Sequence, residues 1–197
     1  MKRYPLFFAL VFLASCKFFH KSPSPYKGFA TDDGITYTRY CDLGAAKQQA
    51  RIGDVTELII NYATMKDSVF WSSKNKGYPY SVFLPYTQME AGGTYEHALV
   101  KANAGDSLVY IVPADSVFQH IFHMPLPYFL QKGDMMKVHV RVKAIMGSQQ
   151  YTNEIKKITE YRNDLDMQEQ LNLLRYATAN NLPDSLKHHH MYIIPIT

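Results

Sequence analysis

The stretch "GDMMKVHVRVKAIM" (residues 133–146) decides how this chain reads. Val138, Val140 and Val142 fall on one side of an extended chain; Lys137, His139, Arg141 and Lys143 fall on the other. A period of two marks a strand with one dry and one wet face, which antiparallel sheets tolerate. A Gly-Asp pair opens the run, and the same dipeptide recurs at Gly53-Asp54 and Gly105-Asp106 ahead of two further apolar runs. Glycine supplies the backbone angles of a tight turn, and aspartate ties down N–H groups at its exit. The region from residue 53 to 145 therefore reads as one curved, half-open sheet. Its concave face would collect the rings of Tyr62, Phe70, Trp71, Tyr80, Tyr95 and Phe118.

A length of 197 residues with 47% hydrophobic content allows one compact domain plus an appendage. The formal charge is +4, and setting aside Lys2 and Arg3 leaves +2. No basic helix face and no basic run interleaved with aromatics is present, so nucleic acid is not an expected partner. Residues 1–15 read as a leader: Lys2 and Arg3 form a basic start, and residues 4–13 are apolar but too short to span a bilayer. The leader ends in Leu13-Ala14-Ser15-Cys16, which resembles the bacterial lipobox, so Cys16 is the expected lipidation site and membrane anchor. An ordinary signal peptide that happens to carry a cysteine is the other reading; small residues at both positions before Cys16 favour the first. Lys17 follows the cysteine, and outer-membrane attachment facing the periplasm is the expected location. With Cys16 lipidated, Cys41 has no partner for a disulfide within the chain and reads as a small half-buried residue. The segment "SPSPYKGFA" (residues 22–30) belongs to a flexible tether spanning residues 16–30.

Composition changes after residue 146. Ile155, Ile158, Tyr161, Leu165, Leu171, Leu174 and Ala177 fit an amphipathic helix over residues 154–181, with a break near Asp164–Asp166 left open. Asn180, Asn181 and Pro183 stop it. The end, "MYIIPIT" (residues 191–197), is a short strand that would pair with the sheet or dock on the helix. Residues 147–197 thus form an appended helix and terminal strand.

Order and spacing over residues 31–146 resemble the FKBP-type (immunophilin) peptidyl-prolyl isomerase domain. The resemblance rests on "DGITYTRY" (residues 33–40), "GDVTELIINY" (53–62), "SVFWSSKNKGYPYSVFL" (68–84), "GTYEHALVKANAGDSLVYIVPADSVF" (93–118) and the valine-alternating strand. It implies an α+β fold: a curved antiparallel sheet wrapped around a short helix that begins near Tyr95, with the C-terminal helix appended. It also implies roles. Tyr62, Phe70 and Phe118 would be the catalytic positions. Trp71, Tyr80, Tyr95 and Val138 would bind substrate, with Tyr62, Phe70, Tyr80, Tyr95 and Phe118 sharing one cavity and Trp71 near its mouth.

Rotation about a peptide bond must cross about 18–20 kcal/mol, because resonance makes the C–N bond partly double. Proline weakens the trans preference but leaves the exchange slow. The planar amide is the more charge-separated form, so a dry aromatic pocket disfavours it more than the twisted state. Such chemistry needs no nucleophile, metal or cofactor; it needs a seat for the pyrrolidine ring and a donor for a neighbouring carbonyl. This chain departs from the family at that point. Trp71 stands where the family has aspartate. Phe118 replaces a tyrosine whose hydroxyl bonds the substrate carbonyl, and Val138 replaces a phenylalanine. The segment "QMEAGG" (residues 88–93) carries extra residues ahead of the helix. Losing one donor costs about 0.5–1.5 kcal/mol of binding. The expected partners are proline-containing or unfolded polypeptide clients. An isomerase and a non-catalytic chaperone or adaptor on the same fold both fit, and Trp71 separates them. A structural component of a secretion or motility complex is the third reading.

Other clusters read more blandly. His120 and His123 have metal-ligand spacing, but Pro125 and Pro127 follow closely and the segment corresponds to the family's flap over the pocket. Its apolar residues Ile121, Phe122, Met124, Leu126 and Phe129 would either meet client chain or cover the sheet. The run His188-His189-His190 reads as a solvated link, and Ser72-Ser73 as a structural element rather than a nucleophile.

Overall fold

The three Gly-Asp pairs make the same turn. Gly53, Gly105 and Gly133 have φ of 91°, 88° and 89°, in the left-handed region that glycine enters without steric cost. In each case the following aspartate reaches back three residues. Asp54 Oδ2 accepts from Arg51 N at 2.9 Å, Asp106 Oδ2 from Asn103 N at 2.7 Å, and Asp134 Oδ2 from Gln131 N at 2.8 Å. A strand follows each turn.

The computed structural model describes residues 22–32, 34–40, 47–92, 94–182, 187–188 and 191–192. The leader, Cys16 and Cys41 lie outside the described residues. In chain order the strands are β1 (Ser22–Pro23), β2 (Ala30–Asp32), β3 (Ile35–Tyr40), β4 (Val55–Thr64), β5 (Val69–Ser72), β6 (Val82–Pro85), β7 (Ser107–Pro113), β8 (Met135–Met146), β9 (Lys187–His188) and β10 (Met191–Tyr192). The helices are α1 (Tyr86–Ala91), α2 (Glu96–Leu99), α3 (Ala114–Val117) and α4 (Ser148–Ala179). A 3-10 turn (Ser73–Lys76) follows β5, and a π-helical turn (Phe118–Phe122) follows α3.

The fold is α+β, with one antiparallel sheet in the order β1-β2-β3-β7-β8-β4-β5 and β6 beside β5 on the free edge of β4. β8 is the spine. Its valines are buried while Arg141 and Lys143 are exposed, as alternation dictates. Two bulges bend the sheet. Between Glu57 and Leu58 the partner in β8 jumps from Ala144 to Val142, leaving Lys143 as the extra residue. Between Tyr62 and Ala63 the partner in β5 jumps from Trp71 to Val69, leaving Phe70 extra. Such insertions raise local twist and re-aim side chains.

The concave face packs Leu58, Ile60, Tyr62, Leu108, Tyr110, Val138, Val140 and Val142 against Tyr95, Leu99 and Ala102 of the α2 region. The sheet therefore wraps the short helix that follows Tyr95. α1 is an additional turn of helix ahead of it, where "QMEAGG" adds length, and it buries Met89. Leu58 is fully buried. Leu58→Ala is expected to cost about 2–5 kcal/mol in chemical denaturation, since the lost contacts come with a cavity.

Several buried polar groups are paired, while the Thr56 and Tyr110 hydroxyls and Arg39 Nε have no hydrogen-bond partner among the described residues. Glu57 accepts from Ser81 Oγ at 2.8 Å and Lys143 Nζ at 2.6 Å. Arg39 donates to the buried Asp106. Ser73, fully buried, accepts from Ile60 N at 3.2 Å and donates to Tyr80 O at 3.0 Å. Ser72 donates to Asn61 Oδ1 at 2.6 Å and accepts from Lys74 N. The two serines latch β5 and its following turn onto β4, which is a structural task.

α4 begins at Ser148, ahead of the expected residue 154, and runs unbroken through Asp164–Asp166. Its first half docks on the domain. Tyr151 meets Phe83 at 5.5 Å, Tyr161 meets Tyr78 at 4.5 Å, Ile158 is buried, and Arg162 Nη2 donates to Tyr78 O at 3.1 Å. Met167, Leu171, Leu174 and Tyr176 beyond it are exposed. β10 pairs with β9 in a separate ribbon, so Met191–Tyr192 do not extend the main sheet. Residues 193–197 lie outside the described residues. Among the described residues no helix is long and apolar enough to cross a membrane.

Candidate functional site

β4 carries Tyr62 onto the concave face, opposite Val138 of β8 on one side and Trp71 of β5 on the other. The bulge at Phe70 lets two consecutive β5 residues pack against the core, where strict alternation would send one of them outward. Their partners differ. Trp71 stands edge-on to Tyr62 with ring centroids 5.2 Å apart, and 5.9 Å from Phe122. Phe70 stacks on Phe118 at 6.0 Å and tilts against Phe129 at 5.3 Å. Phe122 joins the two groups, at 4.9 Å from Tyr62 and 5.1 Å from Phe118.

A cleft of about 230 Å³ opens beside Tyr62 and Trp71. Tyr95, Phe122, Ile60, Val82, Leu84 and Ile121 complete its apolar wall, with Lys76 and Glu96 at its edges. Lys76 Nζ sits 5.0 Å from the centre of the Trp71 ring, a cation–π arrangement with the half-buried indole. Glu96 takes a hydrogen bond from Thr94 Oγ1.

At the back of the cleft the Tyr62 and Tyr95 hydroxyls hydrogen-bond at 2.7 Å. Tyr95 in turn packs on Tyr110 at 5.4 Å, which anchors it to the core. Burial pushes the Tyr62 phenol up to about 12, partly offset by its bond with Tyr95. Burial drives Tyr95 well above the ordinary phenol value, and Tyr62 beside it adds to the rise. Both are neutral donors at physiological pH. The unfolded chain ionises such phenols near 10, whereas folded Tyr62 keeps its proton to about 12. This contribution is complete below pH 10 and is lost as pH rises from about 10 to 12. Denaturation midpoints are expected to hold flat to about pH 10 and then fall.

The candidate residues thus divide. Tyr62, Trp71 and Tyr95 line the cleft. Phe70 and Phe118 form an adjoining stack, and Phe118 also borders a separate depression with Met124, Pro125 and Leu126. Val138 is fully buried between Tyr62 and Tyr110 on the neighbouring strands, supporting the floor without reaching the cleft. Tyr80 stands apart from the expected ring group. Its φ of 62° is left-handed, its amide donates to Gly77 O and its carbonyl accepts from Ser73, so the ring is thrown outward, half exposed against Tyr78. The expectation of one cavity shared by all the rings is corrected to a three-residue group with Phe122 as its fourth ring. Sequence reading placed Phe122 on the flap. The signal for its inward position was the four-residue gap from Phe118, which puts both rings on one face of a helical turn. His123 turns into a left-handed conformation, with Nδ1 3.1 Å from Gln119 O.

No family model matches the chain, and no curated protein matches it. Among solved structures it is similar to a peptidyl-prolyl cis-trans isomerase from Pseudomonas syringae pv. tomato, with 12% identity and a TM-score of 0.44 over 61% of this chain and 83% of that one. It is also similar to FkpA from Escherichia coli, with 12% identity and a TM-score of 0.45 over 63% of this chain. The chain spans about half, 54%, of that second protein. At that level of similarity the geometry of the cleft has to carry any functional reading.

Proposed function

We propose that this domain binds proline-containing or unfolded polypeptide and accelerates cis–trans isomerisation of the bond before proline, assisting the folding of exported proteins. One observation carries the reading. Tyr62, Trp71, Tyr95 and Phe122 meet around a cleft of about 230 Å³ beside the indole. A water occupies about 30 Å³ of liquid, so the cleft is several waters in size and apolar on most sides. A pyrrolidine ring seated there loses hydration at the amide, and the planar form loses more than the twisted one.

A second reading has its own support. Phe118 offers no donor and packs on Phe70 outside the cleft, which favours binding without catalysis. A protease-coupled assay on a proline tetrapeptide separates the two. The isomerase reading expects acceleration proportional to protein concentration. No acceleration, with aggregation of a reduced client still suppressed, leaves a chaperone or adaptor. Location in the cell envelope, with the domain anchored through Cys16, is part of the proposal and rests on the leader pattern of residues 1–16. Metabolic labelling with an alkynyl fatty acid tests it: label lost on Cys16→Ala supports the anchor, and label unchanged removes it.

A further inference from the structure

The Phe118 position leaves the site without its expected donor, yet the cleft holds two phenols in contact. Two hydroxyls carry two protons, and one hydrogen bond between them uses one. Among the described residues neither hydroxyl has a second partner. One O–H therefore remains to be satisfied at the cleft that both side chains line.

The packing decides which. The Tyr95 ring is backed by Tyr110. The Tyr62 ring is flanked by Trp71 and Phe122, which line the cleft and are partly exposed, whereas Tyr110 behind Tyr95 is fully buried. We propose that Tyr95 donates to Tyr62 and that the Tyr62 hydroxyl donates to the carbonyl oxygen beside a bound proline, replacing the donor that Phe118 cannot supply. Accepting from Tyr95 polarises the Tyr62 O–H, since hydrogen bonds in a chain strengthen one another at low dielectric. The Trp71 substitution fits this arrangement: an indole at that place offers Tyr62 a ring edge and no carboxylate, so the hydroxyl is not consumed by a neighbouring side chain.

The assignment rests on the proposed binding of proline peptides at this cleft. It is tested by titrating the proline tetrapeptide into full-length protein and following the fluorescence of Trp71, the only tryptophan in the chain. Tyr62→Phe is expected to weaken binding and lower kcat/KM roughly two- to tenfold, the range for one hydrogen bond. Tyr95→Phe leaves the Tyr62 hydroxyl in place and is expected to cost less than about twofold, the share of polarisation alone. Tyr80→Phe, outside the cleft, serves as the control and is expected to bind as wild type. Thermal midpoints of both cleft variants show whether a loss follows from unfolding, and titrations below the lower midpoint keep the comparison valid. Tyr62→Phe binding as tightly as wild type would overturn the assignment, and so would Tyr95→Phe costing more than Tyr62→Phe. Wild-type protein that fails to bind the peptide overturns it too. Wild-type protein that binds but does not accelerate exchange removes the isomerase reading alone, and the titration still decides the donor.

Discussion

Phe122→Ala is expected to weaken proline-peptide binding about 30-fold, the effect of truncating an aromatic anchor worth about 2 kcal/mol. Phe122 is the ring that touches both aromatic groups: it lies against Tyr62, Trp71 and Phe118 at 4.9, 5.9 and 5.1 Å. Removing it opens the cleft to water from the side of the π-helical turn and lets the indole move. The dry environment that distinguishes planar from twisted amide is then lost, so turnover falls along with binding. Because Phe122 is only half buried, stability suffers less than it would for a fully buried phenylalanine. Isothermal titration with the tetrapeptide measures the effect, and binding within about twofold of wild type would place the substrate elsewhere.

Arg39→Ala is expected to cost about 3 kcal/mol of stability by urea denaturation. Its guanidinium donates to Asp106, whose side chain is almost wholly buried at the turn that opens β7. Removing the arginine leaves that carboxylate without its counter-ion while it still accepts from Asn103 N at 2.7 Å. Asp106→Asn is expected to cost less than Asp106→Ala, because an amide oxygen still accepts from Asn103. Equal losses for the two would mean that the turn bond contributes nothing.

Much of this fold was legible in local signals. Alternation in residues 135–146 fixed β8 as a half-wet strand, and the repeated Gly-Asp pairs marked turns with one shared hydrogen-bond geometry. The helix following Tyr95 was legible through its resemblance to a known domain. What was not legible depends on tertiary detail. Strict alternation cannot foresee that the bulge at Phe70 brings two consecutive rings onto the core side. Nor does aromatic character place Tyr80, whose ring direction is set by a left-handed backbone and the Ser73 latch. The four-residue gap from Phe118 hinted at the inward position of Phe122, but the π-helical turn that carries it there was not legible. In α4, Leu165 and Met167 are two residues apart and so about 200° apart on the helix, which means the apolar spacing does not describe one stripe. The first half docks through Ile158, and in the second half Ala177 is buried while Leu171, Leu174 and Tyr176 stay exposed.

The most direct test is magnetisation exchange between the cis and trans proline resonances of a free tetrapeptide, recorded by NMR with a catalytic amount of protein. Uncatalysed exchange takes tens to hundreds of seconds at 25 °C. An aromatic cleft that favours the twisted amide predicts exchange that speeds up in proportion to added wild-type protein, with the gain largely lost in Phe122→Ala. Exchange rates identical with and without wild-type protein, at concentrations where Trp71 fluorescence reports a bound peptide, would contradict it.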